Sequence, residues 1–419
     1  MTILGFIVII LVSYPILGAM SWITGSIIYN HEKKNKFKKY PQEKFVSILI
    51  AARDEEKVIG ATLEQLLNHL NYTNYEVLVI NDGSQDNTLN IVEKYAENHD
   101  NLRIVNLEEN QGKANALNIG LAFAKGDYVL TNDADSFPEE NALKKYISIL
   151  NEPYADKIGG ITSNMDVQNR TKLITKSQTL EFSSIIGVIK RTQMAIIGGI
   201  YSYSGANTFY NKKALIDIGL FRTNRATEDI SAAWDQQING WLAIFEPKIH
   251  LIMQAPENIV DLYHQRKRWS KGGIEAWITN CGKIFRKPFK NWGLTELFID
   301  QTISIIWSFF FLINFIIFAY YFFLFSFNHN WDNLYTMITI SMIFVCFELI
   351  SGIMQLIFAM VDDKEINRFR YMVFSPLYLL FYWLVNTLTI ITSIIPAINT
   401  FRGHNTGKWT SPKRSRIKI

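Results

Sequence analysis

Two hydrophobic periods alternate through the middle of the chain. "FVSILIA" (45–51) is a continuous apolar run with β-branched residues, the pattern of a strand buried on both faces. In the following "DEEKVIGATLEQLLNHL", Ile59, Leu63, Leu66, Leu67 and Leu70 recur at helical spacing. The alternation repeats through "YEVLVIN" (75–81, strand), "DNTLNIVEKYAENH" (helix), "LRIVNL" (102–107, strand), "KANALNIGLAFA" (helix) and "DYVLTN" (strand). Such a series predicts an α/β domain built on a mostly parallel sheet with right-handed crossovers. Farther along, "SGANTFYNKKALIDIGLF" reads as another strand and helix.

On either side the period disappears. Residues 2–29, 301–327 and 371–401 carry no charged side chain, and 333–361 carries only Glu348. About 20 apolar residues in a helix cross a hydrocarbon core of ~30 Å, so each stretch is long enough to span. Residues 2–29 lack a basic leader and a small-residue cleavage pattern, which marks an anchor rather than a signal peptide. The next segment, "HEKKNKFKKYPQEK", holds six lysines against two glutamates and favours the cytoplasmic side, placing residues 31–296 inside. Residues 402–419 hold six basic residues and no acidic one, which favours the same side. Three plain C-terminal spans would put that tail outside. A cytoplasmic tail is expected if 371–401, with Pro376 and Pro396 near its ends, enters the membrane and returns. Glu348 would then face a channel or a partner.

Composition narrows the function. The 419 residues leave room for two or three domains. The net charge of +4 is small and its excess juxtamembrane, which argues against nucleic acid as a partner. Cys281 and Cys346 have no metal-ligand spacing and no setting for a structural disulfide.

Candidate chemistry gathers where the strands end. Ligands of parallel sheets bind beyond the carboxyl ends of the strands. There the sequence supplies Asp54 and Glu55, then Asp82, then Gly112 and Lys113, then Asp133 and Asp135. Asp54 and Asp86 also have a plain reading as helix caps. No GxxxxGK[ST] and no GxGxxG is present, which disfavours P-loop hydrolases and dinucleotide folds. Acidic groups after the first two strands can accept hydrogen bonds from a base and a ribose. A Mg2+ or Mn2+ ion on Asp135, with Asp133, would bridge a diphosphate. The economical ligand is a nucleotide diphosphate.

The motifs "NDGSQDNT", "NQGKANALNIG", "NDADS", "TEDI" (227–230) and "QRKRW" (265–269) occur in that order between an N-terminal and a C-terminal set of apolar stretches. In this the chain resembles the processive family 2 glycosyltransferases of GT-A (Rossmann-like) fold, which include cellulose, chitin and hyaluronan synthases. "SQTLEFSSIIGVIKRTQ", "RKRWSKGG" and "KWTSPKR" look most like the bacterial subgroup that makes poly-β-1,6-N-acetylglucosamine of biofilms.

The resemblance implies a residue-by-residue assignment. Glu55 and Asp82 would contact uracil and ribose of a UDP-sugar, with Lys113 nearby. Asp135 would ligate the metal, and Asp133 would hold the donor sugar or assist the metal. Within the TED, Glu228 would belong to the catalytic group and Asp229 would be the general base. Gln265, Arg268 and Trp269 form QxxRW, with Gln265 on the donor UDP-sugar, Arg268 on its diphosphate and Trp269 stacked on a sugar. Gly205 would allow the acceptor close to the backbone. The family usually has Asn-Glu after strand one; Asp54-Glu55 here adds a charge.

The implied organisation is an anchor (1–30), a basic linker (31–44), a catalytic domain (45–255), interfacial amphipathic helices (256–299), membrane segments (300–401) and a basic tail (402–419). The expected protein is a multi-pass synthase in a bacterial plasma membrane, with its catalytic domain cytoplasmic. It would use UDP-N-acetylglucosamine, hold a growing polysaccharide and join a small accessory membrane subunit. Hyaluronan or chitin synthesis, single transfer to a lipid and a non-catalytic membrane scaffold are the alternatives.

Overall fold

The alternating region forms one eight-stranded sheet. The computed structural model describes residues 3–32, 43–286, 288–289, 292–362 and 368–403. Most of the basic linker and of the tail, including "KWTSPKR", lies outside the described residues. Helix α1 (Ile3–Glu32) is followed by β1 (Val46–Ala52), α2 (Ile59–Asn68), β2 (Tyr75–Asp82), α3 (Thr88–Ala96), β3 (Leu102–Leu107), α4 (Lys113–Phe123) and β4 (Tyr128–Asn132). These four strands pair in parallel in the order β3-β2-β1-β4. Every residue of β1 and β2 is buried, as their unbroken apolar runs require. The winding reverses between β1 and β4, and loops leaving the strands at such a switch point open a crevice.

The other half of the sheet is mixed. β5 (Ser136–Pro138), α5 (Ala142–Ile149), β6 (Ile158–Val167), β7 (Asn207–Asn211) and β8 (Leu242–Met253) complete the order β4-β7-β6-β8-β5. β7 runs antiparallel to both neighbours and β5 antiparallel to β8, while β6 and β8 are parallel. Parallel pairing therefore holds throughout β3-β2-β1-β4 but not through the whole sheet.

Between β6 and β7 a helical rod crosses the domain: α6 (Leu173–Glu181), a π-helical stretch (Phe182–Ile189), α7 (Lys190–Thr192) and a second π-helical stretch (Gln193–Ile197), closed by Gly198 at φ 72°. Helix α1 lies on this rod, where Thr192 Oγ1 donates to the Trp22 carbonyl at 2.7 Å. After α8 (Lys212–Asp217) and α9 (Glu228–Ile238) come the amphipathic α10 (Ile259–Arg286), α11 (Trp292–Phe327), α12 (Trp331–Asp362) and α13 (Ser375–Thr400).

Three C-terminal helical stretches are long and apolar enough to cross a membrane: Trp292–Phe327, Trp331–Val361 and Phe369–Thr400. The last is not the broken, re-entrant element expected from its prolines. Pro376 occupies the first turn of α13, where a missing N–H leaves no bond unmade, and α13 continues past Pro396 to Thr400. This helix also differs from the other two in its surroundings. In its most apolar window 41% of residues are buried in the protein, against 6% in α11 and α12. Its partner is α10, through Ser270 to Thr389 (3.1 Å), Ser393 to the Lys267 carbonyl (3.0 Å) and Thr400 to Glu275 (2.6 Å).

Candidate active site

The loops after the parallel strands converge on Lys113. After β1, Asp54 takes a left-handed backbone (φ 53°), which Asn and Asp adopt more readily than other non-glycine residues. Its Oδ1 accepts the Gln85 N–H at 2.7 Å, so an Asp in place of Asn still serves this turn. Glu55 beside it is buried, and its N–H donates to Thr88 Oγ1 at 2.8 Å. Asp82, fully buried at the end of β2, accepts the N–H groups of Gln111 (2.7 Å) and Gly112 (2.9 Å), one on each carboxylate oxygen. Asp82 thus fixes the loop that launches α4 and sets the position of Lys113.

Lys113 ties the site together. Its Nζ lies 2.7 Å from Asp133 Oδ1, 2.8 Å from Glu228 Oε1 and 3.4 Å from the Gly205 carbonyl. Burial works against its charge, but Asp133 and Glu228 outweigh burial and hold the ammonium protonated. Asp133 also donates its N–H to the Ala206 carbonyl at 3.0 Å, locking the end of β4 to the 204–206 loop. Asp135 is fully buried in the same turn.

Among the described residues no group of three or more His, Cys, Asp or Glu side chains is arranged to hold a metal. The pair Asp133 and Asp135 at the end of β4 would supply at most two carboxylates to such an ion. Two carboxylates suit a Mg2+-type ion whose shell is completed by substrate phosphates and water.

Asp229 stands at the start of α9, where the helix dipole favours anions. Its Oδ2 accepts the Gly205 N–H at 2.8 Å and its Oδ1 the Ile230 N–H at 2.9 Å. A Cβ on Gly205 would stand 3.0 Å from Asp229 Oδ2, so the approach depends on glycine. Burial, and then the neighbouring Glu228, push the Asp229 carboxyl up to about 6, against the pull of Lys113 and Arg268. Burial also acts to raise Glu228, but Lys113 overrides it and holds that carboxyl below its usual range. The two adjacent carboxyls are thus driven apart: Glu228 is held ionised, and Asp229 is the more readily protonated of the pair.

The residues of α10 approach from the side. Arg268 is exposed, and its charge acts on both Glu228 and Asp229. Trp269 is half-buried and packs on the core beneath the sheet. Gln265 Oε1 accepts from Arg266, the residue next to it. The structure thus gathers Lys113, Asp133, Gly205, Glu228 and Asp229 by direct contact. Glu55, Asp82 and Asp135 line the strand ends, and α10 borders them.

Three residues to which the sequence assigned no role shape the same site. Lys190 on α7 is buried and donates to Ser204 Oγ at 3.0 Å, behind the loop that carries Gly205. Burial lowers its ammonium to about 7, with Asp229 acting the other way. Gly272 lets α10 approach the TED turn, since a Cβ there would stand 2.8 Å from Thr227 Cβ. Glu275, fully buried, accepts the Ala226 N–H at 2.8 Å. Their sequence signals were faint: a lysine inside an apolar run, and paired glycines inside a helical pattern.

Residues 47–219 match the description "Glycosyl transferase family 2". The chain is 32% identical to a poly-beta-1,6-N-acetyl-D-glucosamine synthase of Staphylococcus epidermidis, over 97% of this chain and 98% of the relative. It is 36% identical to a synthase of the same name from Staphylococcus aureus (strain COL), over 71% of this chain and 72% of that one. Among solved structures, a mannosyltransferase from Pyrobaculum calidifontis in complex with GDP-Man and Mn2+ superposes with a TM-score of 0.57. That pair shares 19% identity over 84% of this chain and 98% of the other, a likeness of fold.

Proposed function

Because the chain belongs to glycosyltransferase family 2, we propose that it is a membrane-embedded, inverting, processive synthase that polymerises N-acetylglucosamine from UDP-N-acetylglucosamine. The product is a β-1,6-linked exopolysaccharide, extruded as it grows. One observation carries the reading: a half-buried carboxylate, Asp229, is held against the Gly205 backbone beside the Lys113-bridged pair Asp133 and Glu228.

The chemistry follows from that arrangement. An acceptor hydroxyl is a weak nucleophile until a base removes its proton, and Asp229 is that base. Attack at the anomeric carbon expels UDP and converts an α-linked donor into a β-glycoside. Glu55 and Asp82 line the nucleotide side, and Lys113 keeps Asp133 and Glu228 in register next to the donor sugar. Arg268 offers a planar fork to the leaving diphosphate, where negative charge grows in the transition state. Asp135 and Asp133 would hold a divalent cation, Mg2+ or Mn2+, which neutralises the diphosphate. Gly205 and Trp269 form the acceptor side.

The domain scheme outlined from the sequence fits this reading, with the sheet cytoplasmic and α10 lying on the inner leaflet. α1, α11 and α12 enter the bilayer. The exposed face of α12 (Met342, Ile343, Cys346, Phe347, Ile350) suits lipid or a small accessory membrane subunit. The test is linkage analysis of polymer made in membranes from labelled UDP-N-acetylglucosamine. β-1,6 linkages support the assignment; β-1,4 chains or incorporation of a second sugar would make the protein a chitin- or hyaluronan-type synthase.

A further inference from the structure

We propose that Glu181 and Arg266 are positioning residues that hold the Trp269 indole in place for the acceptor end of the growing chain. This rests on the reading of Trp269 as the acceptor platform. The supporting geometry is a three-member stack. Glu181, the last residue of α6, and Arg266, on α10, are only 3% and 5% exposed. Arg266 Nε and Nη2 each donate to one Glu181 carboxylate oxygen at 2.6 Å, a bidentate pair. The remaining Nη1 donates to Gln265 Oε1. The guanidinium carbon lies 4.1 Å from the Trp269 ring centroid, so the cation covers one face of the indole.

A buried ion pair is poor evidence for stability, because desolvation offsets most of its attraction. What this pair supplies is orientation. Two parallel hydrogen bonds fix the plane of the guanidinium, and a fixed plane against an indole fixes the ring. The same guanidinium also holds the Gln265 amide oxygen. Tyr378 and Tyr382 of α13, with Leu262 of α10, line a small pocket beside Glu181 and Arg266. The π-helical rod that begins directly after Glu181 is the element on which α1 lies. The support for Trp269 therefore comes from the membrane side of the catalytic domain, where the polymer must leave. A lysine at 266 would keep the charge and lose both the fork and the flat stack.

The experiment uses the full-length protein in membrane vesicles, with Arg266→Lys and Glu181→Gln as variants. Three quantities are measured: polymer formed, UDP-N-acetylglucosamine hydrolysed to free sugar, and the donor KM. Polymer formation is expected to fall by about tenfold or more with shorter chains, while hydrolysis and donor KM stay within about twofold. Placed on Trp269→Ala, Arg266→Lys should add no further loss, because the two act through one ring. Equal falls in polymerisation and hydrolysis, or additive losses in the double variant, would overturn the positioning role alone. Wild-type polymerisation by Trp269→Ala would remove the platform itself and this role with it.

Discussion

Glu228 and Asp229 are neighbours in the chain and opposites in charge behaviour, and that difference sets the pH dependence. The base must be deprotonated to accept a proton, and burial with Glu228 beside it raises Asp229 to about 6. A raised carboxyl is protonated, hence inactive, below that value. The expected profile of kcat/KM for transfer is an acid limb with its midpoint near pH 6, falling about tenfold per unit below it. A midpoint near 4 would mean that neither desolvation nor Glu228 raises Asp229 in the working enzyme. Asp229→Asn keeps the shape and removes the base, so transfer should drop by about 10²–10⁴-fold with UDP binding retained. Gly205→Ala tests the same contact from the other side. Its Cβ would stand 3.0 Å from Asp229 Oδ2, so the carboxylate has to shift by a few tenths of an ångström. A loss of about tenfold in transfer, at unchanged UDP affinity, is the expected outcome.

At the scale of elements, α10 decides whether the TED turn is in place. Gly272 lies where a Cβ would come within 2.8 Å of Thr227 Cβ, whereas Gly282, ten residues on, faces open space. Gly272→Ala should destabilise by ~1–3 kcal/mol through overpacking and weaken transfer. Gly282→Ala should raise the thermal midpoint slightly, since alanine favours a helix by ~1 kcal/mol over glycine. Thermal unfolding of the two variants in detergent separates a packing role from simple helix propensity; matched shifts would mean that the close crossing is absent. This contrast also shows what the sequence could convey. β1 to β4 were legible because unbroken apolar runs alternate with helical spacing, and the polar residues leaving them fell at one edge by topology. Glu181, Lys190 and Glu275 were not legible. Each is a charged residue in a helix that looks ordinary until the fold brings its partner, Arg266, Ser204 or the Ala226 N–H, into reach. The antiparallel placing of β7 was equally hidden, because a short apolar strand carries no sign of direction.

The whole molecule poses a question that length and apolarity alone do not answer. α13 has 26 residues and, at 1.5 Å per residue, is about 39 Å long, enough to cross a bilayer. Yet both of its ends are fastened to the catalytic side. Just before it, Arg368 is fully buried and donates to Ser183 Oγ (2.8 Å) and the Met165 carbonyl (3.0 Å), beside Asp166 of β6. At its far end Thr400 Oγ1 donates to Glu275, and the Arg225 guanidinium lies 4.6 Å from the Phe401 ring centroid. Along its length Thr389 and Ser393 meet α10, while Leu377, Leu380, Leu384, Leu388, Ile395 and Ile398 remain exposed. A helix with a polar side on the domain and an apolar stripe outward suits the membrane surface rather than its interior. Were α1, α11 and α12 the spans, the chain would return to the side of the sheet after α12. The basic segment 402–419 would then fall where the positive-inside tendency favours it. Cysteine placed at Arg402, in a variant lacking Cys281 and Cys346, reads this directly. A membrane-impermeant maleimide should leave it unlabelled in intact cells and label it in inverted vesicles. Labelling in intact cells would make α13 a fourth span and detach its outer end from Glu275 and Arg225.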